Sequence, residues 1–222
     1  MISTKNLKLL PNQPALQQLC KAISVCDAII SPEWEYRYYS YQEKWAKDEE
    51  FFEMRDGQGD QMLILFRPDG CVINGFAHEL YDYEAELPAK SKLTHGLPDI
   101  YKEFIFGEPV KTIGTTFCIW TNDLSTNSQQ NWQIGDCEHH EDGSKEMLYL
   151  FDGKPQTYVA WACEYFEAGH DYKQSGIPLK TVADIYAGKT LTKAMVLSIV
   201  DDVEDWQQLE KDLQEINYPY QF

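Results

Sequence analysis

Basic side chains are scarce in this chain. Lysine and arginine together number 19 against 36 aspartates and glutamates, a net charge of −17. A field of that sign repels phosphate backbones, which argues against nucleic-acid binding and suits either solubility or a basic protein partner. Long apolar runs are also missing. No stretch reaches the roughly 18 apolar residues of a membrane span, and the N-terminal MISTKNLKLL lacks the sustained apolar segment and small-residue cleavage site of a secretory leader. None of the six cysteines forms a CxxC pair. Cys20, Cys71 and Cys163 sit among apolar neighbours, where a thiol behaves as a small hydrophobe. A chain of 222 residues can bury a sizeable core without a disulfide framework. The expectation is a cytoplasmic protein with six free thiols and no membrane attachment. Internal repeats, low-complexity tracts and Gly/Ser linkers are absent as well, so residues 1–222 read as one globular domain.

Catalytic signatures are equally sparse. There is no G-x-S-x-G elbow, no thiol-protease signature and no HExxH. DGQGD, residues 56–60, contains a G-x-G but lacks the third glycine and the strand–helix frame of a dinucleotide fingerprint. It reads as a tight loop. Asp56 and Asp60 could chelate a cation, although the EF-hand pattern is missing.

What is present is an ordinary apolar fraction and many aromatics: 43% hydrophobic and 14% Phe, Trp and Tyr. Apolar positions Leu16, Leu19, Cys20, Ile23 and Cys26 follow Pro14 at helical spacing and end before Pro32. WEYRYYSYQEKW, residues 34–45, predicts a strand with both faces partly covered, and KDEEFFEMR, 47–55, a short helix with acids near its N-terminus. MLILF and CVINGF flank RPDG, a turn tetrapeptide, and predict a hairpin over 62–76. Leu97, Ile100, Tyr101 and Phe104 share a helical face, and TTFCIW predicts a strand. NWQIGD and EMLYLF predict two further strands. Helices are expected from about Gln156, where Tyr158, Trp161 and Tyr165 fall in line, and over TVADIY, LTKAMVLSIV and 204–215. Strands in the middle and helices at both ends predict an α+β domain, a mainly antiparallel sheet with helices segregated around it.

GDCEHHEDGSKE, residues 135–146, concentrates one cysteine, two adjacent histidines and five carboxylates. Adjacent strand residues point to opposite faces, so His139 and His140 could not easily share one zinc ion. Cys137 and His139 could share a face but would need His78, His95 or His170 from elsewhere. Asp142-Gly143 is a turn dipeptide, and an exposed loop without a stoichiometric metal is the expectation.

His78 and Glu79, just past a strand end, could form an acid/base couple. Trp34, Tyr36, Tyr38, Tyr39, Tyr41 and Trp45, with Arg37 among them, could stack on a ligand or pack in the core. In the C-terminal helix Val203, Trp206, Leu209, Leu213 and Ile216 form an inner face. Glu204, Asp205, Asp212 and Glu215 are then expected outside as a negative strip, and joint neutralisation of Asp205, Asp212 and Glu215 is expected barely to alter stability.

WEYRYYSYQEKW, MRDGQGD, GFAHE, TTFCIW and GKPQTYVAWACEYFE together resemble a group of bacterial hypothetical proteins without an established activity, over roughly Trp34 to Tyr218. That resemblance implies a single bacterial cytoplasmic domain and supplies no catalytic residue. LPDIYKEF is similar to the LP-x-x-Y-x-x-F phrase of SMI1/KNR4-type domains, and the size and acidity are similar to those of toxin-immunity proteins.

The leading expectation is therefore a non-enzymatic acidic protein that binds a basic protein partner. The rivals are a metal-assisted hydrolase using His78, Glu79 and the 137–140 segment, and an aromatic ligand-binding module. Candidate binding positions are Arg37, Trp45, Arg55, Asp56, Asp60, His78, Glu79, Asp205, Asp212 and Glu215. No catalytic or metal-ligating residue and no cofactor is assigned, and the sequence leaves the oligomeric state open.

Overall fold

The computed structural model describes residues 1–82, 84, 86–122, 132–136, 141–166 and 172–222, with backbone alone for 86–88. The 137–140 part of the histidine-containing loop lies outside the described residues. The chain opens with α1 (Gln13–Ile30), capped by the Asn12 side chain on the Ala15 N–H at 3.1 Å, with Pro14 in its first turn. Six strands follow: β1 (Tyr39–Ala46), β2 (Glu49–Arg55), β3 (Gln61–Arg67), β4 (Gly70–Phe76), β5 (Phe117–Thr121) and β6 (Gln133–Ile134). They pair antiparallel in chain order, β1 and β6 forming the edges. Short helices α2 (Glu86–Leu93), α3 (Lys102–Phe106) and α4 (Val110–Ile113) fill the β4–β5 crossover. After the sheet come α5 (Ser144–Met147), α6 (Pro155–Tyr165), α7 (Leu179–Tyr186), α8 (Lys193–Ile199) and α9 (Trp206–Ile216). Strands β7 (Leu191–Thr192) and β8 (Tyr220–Gln221) make a small parallel pair. The architecture is α+β, with helices flanking the sheet on the N- and C-terminal sides. No described helix is long and apolar enough to cross a membrane.

Side-chain alternation divides the core in two. Met62, Ile64 and Phe66 of β3, with Phe52, Met54, Ile73 and Ile119, face α1 and the C-terminal helices. Leu63 and Leu65, with Phe51, Val72, Cys118 and Trp120, face a smaller layer built from Leu97, Tyr101, Phe104, Ile105 and Val110. Both faces are covered, which is why MLILF is apolar without interruption. The hairpin over 62–76 stands as expected, with Arg67 paired to Gly70 across Pro68-Asp69. Five cysteines (20, 26, 71, 118 and 163) are free thiols, the first four buried.

Four expectations are corrected. Residues 49–55 are strand β2, not a helix: pairing with β1 and β3 buries Phe51 and Phe52 on opposite faces, which a helix could not do. The sequence before β1 is not strand at its start, because Trp34–Tyr36 form a 3₁₀ turn and β1 begins at Tyr39. EMLYLF is a helical turn, Ser144–Met147, running into a 3₁₀ segment at Tyr149–Asp152; an apolar run this short fits helix or strand equally well. Ile100 is exposed, although Leu97, Tyr101 and Phe104 bury as expected.

The C-terminal helix needs the largest revision. Leu209, Leu213 and Ile216 are buried, and Val203 and Trp206 are partly so. Asp212, assigned to the outer strip, is buried at 5% exposure against Arg37, whose guanidinium lies 2.5 Å from its carboxylate. Asp205 is exposed, but its side chain caps α9, accepting from the Gln207 and Gln208 N–H groups at 2.9 and 3.0 Å. Only Glu204 and Glu215 are simple exposed charges.

Candidate functional site: an aromatic and acidic rim

The 31–37 segment leaves α1 and is pinned from beneath. Arg37 Nε donates to the Ser31 carbonyl at 2.8 Å and Nη2 to the Pro32 carbonyl at 2.6 Å, while Asp212 receives the same guanidinium. Asp212 also accepts from Gln208 Nε2 at 3.0 Å, so both partners of the buried pair are well satisfied. This clamp places Trp34 and Tyr36 outward, at 47% and 67% exposure. Arg55, at the end of β2, lies over the Trp34 ring at 4.0 Å, and its Nη2 donates to the Trp34 carbonyl at 2.9 Å. Arg55 also sits 3.6 Å from Glu53.

Beside them is the 56–60 loop. Asp56 Oδ1 accepts three backbone N–H groups, from Gln58, Gly59 and Asp60, at 2.7, 2.9 and 2.9 Å. Gly59 has φ +120, and a Cβ there would fall 2.9 Å from the His78 ring, so the loop needs glycine on both counts. Asp60 Oδ1 accepts from the His78 N–H and lies 2.9 Å from Nδ1. That hydrogen bond raises the imidazole pKa above its ordinary value, aided by the charges of Asp60, Glu79 and Asp56. The candidate His78–Glu79 couple does not form: His78 pairs with Asp60, and Glu79 is exposed on the same 3₁₀ turn.

Two clefts meet at this loop. One, of about 670 Å³, is lined by Glu35, Tyr36, Arg37, Arg55, Asp56, Asp60, Tyr165 and Phe166 among others. The second, of about 400 Å³, runs from Asp56 and Asp60 past His78 and Glu79 to Asp142, Ser144 and Glu146. Its far wall is a structural knot in which Asp142 accepts from Thr4 Oγ1 and Ser144 Oγ, each at 2.5 Å. Ser144 is buried within that knot, so its hydroxyl is not presented as a nucleophile. Among the described residues no group of three or more His, Cys, Asp or Glu side chains could hold a metal ion.

Six of the ten candidate positions thus gather on one rim: Arg37, Arg55, Asp56, Asp60, His78 and Glu79. Trp45 does not join them; it stacks on Phe51 at 4.3 Å near the far end of β1. Asp205 and Asp212 border a different groove, and Glu215 lies on a further surface with Lys211. Of the aromatic cluster, Tyr39 and Tyr41 are core residues. Sequence reasoning missed Glu35 and Tyr165. Tyr165 packs against Trp161 and Tyr38 with centroids 5.2 and 4.8 Å away yet stays 39% exposed at the last turn of α6. Its helical line with Tyr158 and Trp161 was visible, but not that the line emerges at the surface.

Asp27 of α1 is a further fully buried acid. Its carboxylate accepts from Tyr158 Oη at 2.7 Å and from the Tyr39 N–H at 2.9 Å, tying α1, α6 and β1 together. Desolvation pushes its pKa up to about 7, against the lowering effect of those hydrogen bonds and of Arg37. Comparison of the chain with protein-family models, curated proteins and solved structures returns no match.

Proposed function

We propose that this chain is a non-enzymatic binding protein that captures a basic protein partner, in the manner of an immunity-type inhibitor. The observation that carries the reading is the rim itself. Trp34, Tyr36 and Tyr165 stand exposed beside Arg55, bordered by Glu35, Asp56, Asp60 and Glu79. Tryptophan, tyrosine and arginine are enriched among the side chains that dominate interface energetics, the two aromatics because they bury large areas at small entropic cost. Carboxylates around them, in a field of −17, would steer a basic partner to the face and accelerate encounter, an effect that salt screens. A cytoplasmic location belongs to the same proposal and suits the free thiols.

The test is a peptide-display selection on the purified chain, counter-selected with a Trp34→Ala/Tyr36→Ala variant. Peptides carrying net positive charge, retained by the native chain and not by the variant, are the expected result. Enrichment of neutral or acidic peptides, or of peptides that bind both proteins equally, would overturn the reading.

A further inference from the structure

We infer that the 670 Å³ cleft between the 33–37 turn, the 56–60 loop and the end of α6 is the docking site for an arginine side chain of the basic partner. The inference rests on the binding reading above and narrows it to one face and one recognised group.

The cleft has aromatic walls in Tyr36 and Tyr165 and carboxylates in Glu35, Asp56 and Asp60. Its two resident cations are already engaged. Arg37 is held by Asp212 and two carbonyls, and Arg55 by the Trp34 ring and carbonyl and by Glu53. Among the described residues neither Glu35 nor Asp56 is in an ion pair. The charge left to a visitor is therefore negative, and the complement is a cation. The surface also shows which cation it accommodates. At its edge the guanidinium carbon of Arg55 already sits 4.0 Å from the centroid of the Trp34 ring. Guanidinium combines stacking on an aromatic face with paired donation to a carboxylate, whereas an ammonium ion is a compact, strongly hydrated point charge. The 56–60 loop is held by its own backbone hydrogen bonds and by Asp60 on His78, so the carboxylates are positioned before a partner arrives.

A second acidic groove provides the internal rival. Asp201, Asp202, Glu204 and Asp205 border it, over Ile29, Ile30 and Leu209, with the half-buried Tyr172 as its one lining ring among the described residues.

Calorimetric titration at 0.1 M salt with blocked hexa-arginine and hexa-lysine peptides separates the two. The proteins are the full chain, Tyr36→Ala, Glu35→Gln, and Asp201→Asn/Asp202→Asn/Glu204→Gln. Tyr36 and Glu35 are exposed, and unchanged urea midpoints would establish that the variants are folded. Hexa-arginine should bind the native chain more tightly than hexa-lysine. Each cleft variant should weaken it by about threefold or more, as expected for loss of one cation–aromatic or charged contact. The triple groove variant should stay within about twofold, since exposed charges that do not themselves contact the bound guanidinium contribute little each. A larger loss in the triple variant than in Tyr36→Ala would overturn the cleft assignment while leaving a basic partner in place. Absence of binding by both peptides would overturn the arginine inference, and the display selection then decides the broader reading by itself.

Discussion

Removing the Asp212 carboxylate should cost far more than removing a surface charge. Asp212 and Arg37 each retain 5% exposure, and their charged groups are 2.5 Å apart. In Asp212→Ala the guanidinium keeps the Ser31 and Pro32 carbonyls but loses its only close counter-ion among the described residues. Breaking one side of a buried pair typically costs about 3–5 kcal/mol, because the remaining charge is buried and uncompensated. Against a typical total stability of roughly 5–15 kcal/mol, the loss should be plain in a urea melt. Replacing both partners, as in Arg37→Met/Asp212→Leu, should recover part of it, since no orphaned charge remains. The assay is equilibrium urea unfolding of the four members of the cycle followed by tryptophan fluorescence. A loss below about 1 kcal/mol in Asp212→Ala, the range of an exposed pair, would refute the account of this bridge.

Asp205→Ala removes the acceptor for two N–H groups at the start of α9 and should cost about 1 kcal/mol, whereas Glu215→Gln should be near neutral, both read from the same melts. The His78 imidazole should titrate above about 6.5, and Asp60→Asn should bring its midpoint down, as followed by proton NMR; an unchanged midpoint would remove Asp60 as the cause. Because its folded pKa is raised, any stabilisation from that pair is complete below the unfolded value and is lost as pH rises through the folded one. Asp27 is also raised, to about 7, so the folded state holds its proton where the unfolded state has released it. The contribution of Asp27 to stability should therefore fall between about pH 4 and 7, by something on the order of 4 kcal/mol, and Asp27→Asn should remove that component of the slope. An identical slope in the variant would contradict the assignment.

The sheet was legible where the chain alternates between two buried layers or carries explicit turn chemistry, as over 62–76. It was illegible at 49–55, where the acids Glu49, Glu50 and Glu53 imitate a helix start. Their real roles are as partners to the sheet and α1: Glu50 meets Lys21 of α1 at 2.8 Å and the Tyr41 hydroxyl of β1 at 2.6 Å, Glu49 pairs with Arg67 of β3, and Glu53 lies 3.6 Å from Arg55 on its own strand. In α9 the sign of burial was present in the spacing. Asp212 stands three residues after Leu209 and four before Ile216, inside the apolar stripe, where a carboxylate requires a partner. Arg37 is that partner, 175 residues away in sequence, and nothing local announces the pairing. The rim was half legible. Asp56, Asp60, His78 and Glu79 stand out as residue types, but their convergence with Trp34, Tyr36 and Tyr165 depends on how the 31–37 segment and α6 meet in space.

Hydrogen–deuterium exchange of the whole chain, with and without a basic peptide from the display selection, tests the central claim most directly. The expected result is slowed exchange over 33–37, 55–60 and 164–166, weakening as salt is raised. Protection confined to the groove around 200–205, or distributed evenly over the chain, would contradict the assignment of this rim as the binding face.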